Sequence, residues 1–115
     1  MAERKIRSFT DLEAWRKSYQ LLIVIYKITL SFPKMEIYSL VSQIRRSALS
    51  VPSNIAEGFS RNSKKDKRQF YYISLGSLTE LQTQLLLSRD LQYITKDQFD
   101  KIAQLTIRVS KLING

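Results

Sequence analysis

The sequence predicts an all-α protein, an antiparallel up-down-up-down four-helix bundle, and three observations carry that expectation. Apolar residues recur at three- and four-residue spacing through four long stretches, the period of an amphipathic helix. Only three Gly and two Pro occur in 115 residues, so few turns are encoded and long elements with few connections follow. Ser or Thr followed three residues later by an acid or amide, the signature of a helix start, precedes three of the stretches. A chain of this length is one domain, residues 1–115, with a basic N-terminal arm at 1–8.

The first helix is expected to begin at Thr10, where Thr10 and Glu13 form a capping box and Phe9 is placed as a hydrophobic staple. Its main apolar stripe is Leu12, Trp15, Tyr19, Leu22, Tyr26 and Leu30. A second stripe, Leu21, Val24, Ile25 and Ile28, faces nearly the opposite way, and Glu13, Arg16, Gln20 and Lys27 fill a narrow polar sector. Phe32-Pro33 ends this helix, because proline disfavours helical geometry in the residue before it.

The second helix is expected from about Glu36 to Arg61, with Ile44, Ala48, Val51, Ile55 and Phe59 on its apolar face. A polar line, Arg46, Ser50, Asn54, Glu57 and Arg61, runs along another face. Pro52 lies inside this helix, removes one backbone donor and crowds the carbonyl of Ala48. An interior proline costs about 3 kcal/mol, so a kink is expected there. Residues 60–63 form a turn, with Gly58 near enough to help end the helix.

The third helix starts near Ser63, where Ser63 and Asp66 are spaced as a cap, and continues to about Leu91. Phe70, Ile73, Leu78, Leu81 and Leu85 form one side, and Tyr71, Leu75 and Leu86 widen the apolar arc. The small neighbours Gly76 and Ser77 allow another helix to approach closely, or the helix to bend. The fourth helix opens with the capping box Thr95–Gln98 and carries Phe99, Ile102, Thr106, Val109 and Ile113 on one face. A helix in a small monomeric bundle hides about one stripe. The surplus on helices one and three, Leu21, Val24, Ile25 and Ile28 above all, therefore predicts a homo-oligomer.

Composition limits the chemistry. The chain has no Cys and no His, which excludes disulfides, thiolate nucleophiles, the usual zinc sites and imidazole acid–base work. The ten acidic residues are scattered singly, so no metal site is expected. No cofactor is expected either. The charged N-terminus has no signal-peptide pattern, and the apolar run Leu21 to Tyr26 is too short to span a bilayer. A cytoplasmic protein without membrane attachment is the expectation. The formal charge of +9, from 19 basic and 10 acidic residues, attracts nucleic acid, an anionic membrane or an acidic protein without choosing among them.

The candidate nucleic-acid contacts are the cluster Arg61, Lys64, Lys65, Lys67 and Arg68, interrupted only by Asp66, together with Arg45 and Arg46 on the second helix. Phosphates are held by cations that reach outward. The alternative for the cluster is a solvated turn that keeps the protein soluble. Lysines at a helix N-terminus oppose the macrodipole, which a bound anion would relieve. Arg4, Lys5 and Arg7 of the N-terminal arm are a weaker candidate. Glu57–Arg61 and Ser50–Asn54 are spaced for local pairing on the helix. Tyr71, Tyr72 and Tyr38 offer rings on which bases can stack, although tyrosines at helical spacing more often pack half-buried. No nucleophile sits beside a base, and no glycine loop cradles phosphate, so no enzyme activity is expected.

The same residues resemble a known family. Phe9-x-Asp11-Leu12-x-x-Trp15, Tyr26, Phe32-Pro33, Glu36-x-Tyr38-x-Leu40, Gln43-x-Arg45-Arg46-x-Ala48, Asn54-Ile55-Ala56-Glu57-Gly58 and Gly76-Ser77-Leu78-x-Glu80-Leu81 are similar to the four-helix proteins encoded within intervening sequences of bacterial 23S rRNA genes. The likeness runs from about Phe9 to Tyr93. Pro52 and the Tyr71-Tyr72 pair look like local variation on the family pattern. The resemblance implies an antiparallel four-helix bundle that assembles as a ring-like homopentamer, and no catalytic activity. It also implies kinship with the accessory proteins of diversity-generating retroelements, basic pentamers that engage nucleic acid and a reverse transcriptase. The expected function is a non-enzymatic oligomeric accessory protein that binds RNA or DNA. The alternative is a scaffold whose partner is another protein.

Overall fold

In a computed structural model, which describes residues 5–115, the chain folds into four α-helices: α1 (Glu13–Thr29), α2 (Leu40–Ser60), α3 (Lys64–Asp90) and α4 (Lys96–Asn114). Two 3-10 turns, Phe9–Asp11 and Lys34–Glu36, precede α1 and α2, and no strand occurs among the described residues. The helices pack in a cycle: α1 on α2, α2 on α3, α3 on α4, and α4 back on α1. Side-chain pairs fix the direction of α3 against α2, because Ser47–Glu80, Ser50–Ser77 and Val51–Ser74 descend along α3 as they climb α2. The fold is a four-helix bundle.

Two helix starts differ from the sequence reading. Ser8, not Thr10, makes the first cap: its hydroxyl accepts the Thr10 amide at 3.2 Å, and Asp11 accepts the Ser8 amide at 3.2 Å. That box closes on the 3-10 turn, and α1 starts after Leu12 with no side-chain cap. Phe9 meets the Trp15 ring edge-on at 5.3 Å. α2 starts at Leu40 rather than near Glu36, because the Ser39 backbone is non-helical (φ −124, ψ −100). There the Ser39 hydroxyl donates to the Glu36 carboxylate at 2.6 Å. The other two caps form as expected, Ser63 accepting from the Asp66 amide and Thr95 pairing reciprocally with Gln98.

The larger correction concerns which face of α1 points inward. Leu21 and Ile25, read above as oligomer contacts, are fully buried in the protomer, and Val24 and Ile28 pack against the same core. The core line of α1 is Ser18, Leu21, Leu22, Ile25 and Thr29. Its two hydroxyls are satisfied by the helix itself, Ser18 donating to the Trp15 carbonyl and Thr29 to that of Ile25, so they lie inside without an unpaired polar group. The row left outside is Tyr19, Ile23, Tyr26 and Leu30, spaced four, three and four apart on one side of the helix. On α3 likewise, Ile73 is exposed while Ser74, Leu78, Leu81, Leu85 and Ser88 face the core.

α2 continues through Pro52, which is buried. Ser74 reaches across from α3 and donates to the Val51 carbonyl at 2.9 Å, just ahead of the proline. Gly58 is buried in the last turns of α2, and a Cβ there would come within 2.6 Å of the Tyr71 ring. α2 and α3 approach each other closely here, near their connection. Gly76 behaves oppositely: a Cβ there would meet nothing within 4 Å, so no helix of the protomer approaches it. Ser77, beside it, does face α2 through its 2.7 Å bond with Ser50.

The far end of the bundle is held by a polar clip. The Tyr93 hydroxyl donates to Glu36 at 3.0 Å, and its ring packs on Phe32 at 5.2 Å. Hydrogen bonds from Ser39 and then Tyr93 hold the Glu36 carboxyl below the usual carboxylate range. The same bond, with burial, raises the Tyr93 phenol. α3 ends in a Schellman motif, with the Tyr93 amide donating to the Ser88 carbonyl and the Gln92 amide to that of Arg89. Its left-handed position is taken by Gln92 (φ 64) instead of glycine.

Candidate nucleic-acid interface

The seven cations singled out in the sequence separate into structural and free groups. Lys67 turns back onto the end of α2, where its ammonium donates to the Phe59 carbonyl at 2.8 Å and reaches that of Gly58 at 3.4 Å. These are carbonyls that a helix C-terminus leaves without amide partners, and a cation there also opposes the negative end of the dipole. Arg61 pairs with Glu57 at 3.3 Å and lies 4.7 Å over the Phe70 ring. With both side chains about half exposed, that pair is worth roughly 0.3–0.5 kcal/mol.

Arg45 is also committed. Its Nε donates to Thr29 Oγ1 at 2.9 Å, a terminal nitrogen reaches the Tyr26 carbonyl at 3.3 Å, and the guanidinium covers the Tyr26 ring at 4.5 Å. It therefore caps the end of α1 from α2, as Lys67 caps the end of α2 from α3. Arg46, Lys64, Lys65 and Arg68 are exposed. Among the described residues they have no carboxylate or carbonyl partner.

The free cations do not form one surface. Lys64, Lys65 and Arg68 share the first turns of α3. Arg46 lies fifteen positions before Arg61 on α2, about 22 Å along the helix. It borders a hollow of about 700 Å³ lined by Tyr26, Leu30, Ile37, Tyr38 and Leu49, among others. In the N-terminal arm, Lys5 is exposed and the Arg7 amide donates to Asp11 at 2.9 Å, while Arg4 lies outside the described residues.

The tyrosines divide in the same way. Tyr19 stacks on Trp15 at 4.8 Å, Tyr71 packs over Gly58, and burial pushes the Tyr71 phenol up. Tyr72, 63% exposed, and Tyr38, 96% exposed, stand free. Ser50 and Asn54 form the local pair expected from their spacing, the Asn54 amide donating to the Ser50 carbonyl at 2.8 Å and its hydroxyl at 2.9 Å. Ser50 then continues the chain of bonds to Ser77 on α3. Along this polar line the structure places helix-packing bonds and an ion pair, with no reactive couple. No cluster of acidic residues that could hold a metal ion occurs among the described residues, and no helix there is long and apolar enough to cross a membrane.

The model of one protein family, described as 23S rRNA-intervening sequence protein, matches residues 10–115. The chain belongs to that family. A crystal structure of a protein of unknown function from the S23 ribosomal protein family of Bacteroides thetaiotaomicron superposes with a TM-score of 0.78 at 26% identity, covering 87% of this chain and 94% of the other. No curated protein matches the chain. The family match spans all four helices and the basic corner between α2 and α3.

Proposed function

We propose that this family member is a cytoplasmic, non-enzymatic, oligomeric accessory protein that binds RNA or DNA through Lys64, Lys65 and Arg68. The observation that carries the reading is the sorting of the basic residues. Lys67, Arg61 and Arg45 are occupied by the fold, whereas these three cations stay exposed on one corner of a chain with net charge +9. Side chains of this kind contact phosphate oxygens and carry little sequence information. In an oligomer the corner repeats, and a strand long enough to span several copies gains affinity by avidity. The exposed row Tyr19, Ile23, Tyr26 and Leu30 supports self-association, since a soluble monomer rarely leaves such a stripe open.

Fluorescence anisotropy with a labelled RNA or DNA oligonucleotide at low salt tests the binding. Wild type should bind, and the triple variant Lys64→Gln, Lys65→Gln, Arg68→Gln should bind at least tenfold more weakly with unchanged helicity. Absence of binding by wild type would contradict the reading. A second reading, a scaffold for another protein, is favoured by the 700 Å³ hollow beside Arg46. Partners recovered from lysate that persist after nuclease treatment would support it over the first.

A further inference from the structure

Resting on the nucleic-acid reading, the geometry points to a subsite on α3 for an unpaired nucleotide of a single strand, with its base on Tyr72 and its phosphates on Lys65 and Arg68. Lys65, Arg68, Gln69 and Tyr72 are spaced three, one and three apart on α3 and lie on one side of it. With Ile73 they line a hollow of about 440 Å³. A second hollow of about 380 Å³ lies between α3 and the end of α4, bordered by Lys64, Ile113 and Asn114. Tyr72 and Arg68 line both. The exposed phenol therefore borders open space on both sides, with Arg68 beside it.

Elimination selects this ring. Tyr19 is stacked on Trp15, Tyr26 is covered by Arg45, Tyr71 is packed on Gly58, and Tyr93 is bonded to Glu36. Tyr38 is free and shares its hollow with Lys34 and Arg46, but it lies at the other end of α2, away from the cluster of Lys64, Lys65 and Arg68. Tyr72 combines a free ring with cations on its own helix face. One turn further along the same face is Gly76, which has no side chain and nothing within 4 Å of a Cβ position. Bases inside a duplex are already stacked and cannot use the ring, whereas unpaired bases can. The Gln69 amide, a donor and an acceptor, is in place to meet a base edge.

Anisotropy with a hexauridylate probe, short enough to stay on about one protomer, and with a blunt, loop-free RNA duplex separates the possibilities. Tyr72→Ala should weaken hexauridylate binding about tenfold, the size of one lost stack. The dependence on salt should stay unchanged, because no phosphate contact is removed. Tyr72→Phe should bind as wild type does. Light scattering and circular dichroism should show the same assembly and helicity for all three proteins.

Three results would overturn the subsite while leaving the broader reading intact: equal affinity for hexauridylate and duplex, unchanged binding by Tyr72→Ala, or a change in oligomeric mass that marks the ring as a subunit contact. Failure of wild type to bind either probe at low salt would overturn the broader reading, and the subsite with it.

Discussion

Gly58 and Gly76 both lie inside helices, yet the same substitution has opposite expected signs at the two. Gly76 faces open space, so Gly76→Ala gains the intrinsic helix preference of alanine, about 1 kcal/mol. At Gly58 the added methyl would sit 2.6 Å from the Tyr71 ring and 3.2 Å from Phe70 Cβ. Overpacking costs about 1–3 kcal/mol, more than the helix preference returns, so we expect Gly58→Ala to destabilise by about 1 kcal/mol. Urea-denaturation midpoints measure both. Loss of stability in Gly76→Ala would show that a second chain packs there. Neither role is visible in the residue type alone: Gly58 reads as a helix terminator until its packing against Tyr71 is known.

At the level of elements, the helix count and the apolar faces of α2 and α4 are legible from apolar period, and the starts of α3 and α4 from cap chemistry. α1 is not. Its core line contains Ser18 and Thr29, whose hydroxyls bond their own helix and so behave as interior residues. A stripe search that counts only apolar residues follows Tyr19, Tyr26 and Leu30 outward instead. The basic corner was found by charge, but its division into capping and free cations depends on tertiary reach: Lys67 to α2, and Arg45 to α1.

The clip between Glu36 and Tyr93 ties the α1–α2 connection to the α3–α4 corner. The folded-state pKa of Glu36 is lowered, so its stabilisation is present above the unfolded carboxylate value and is lost as pH falls through the lower folded value. Thermal melts should therefore lose part of their midpoint below about pH 4. Glu36→Gln should flatten that acid limb. An identical acid limb in the variant would assign it to other carboxylates.

At the scale of the whole molecule, an apolar row and a basic corner are among the surfaces that the described residues leave exposed in the protomer. The apolar row on α1, with Leu30 79% exposed, is where we expect subunits to meet. Ile23→Asp with Leu30→Asp should lower the mass found by light scattering and leave helicity intact, because neither side chain supports the core. Unchanged mass, or a wild type that is already monomeric, would contradict a subunit contact on this row.

The other surface is the corner of Lys64, Lys65 and Arg68, and the slope of log affinity against log salt for single-stranded RNA tests it most directly. Each phosphate contact contributes about −0.7 to that slope. Neutralising the three cations together should therefore make it shallower by about 2 for a probe that covers one protomer. Neutralising Lys67 should leave the slope unchanged and lower stability instead. Equal slopes for wild type and the triple variant would contradict a phosphate-binding role for this corner.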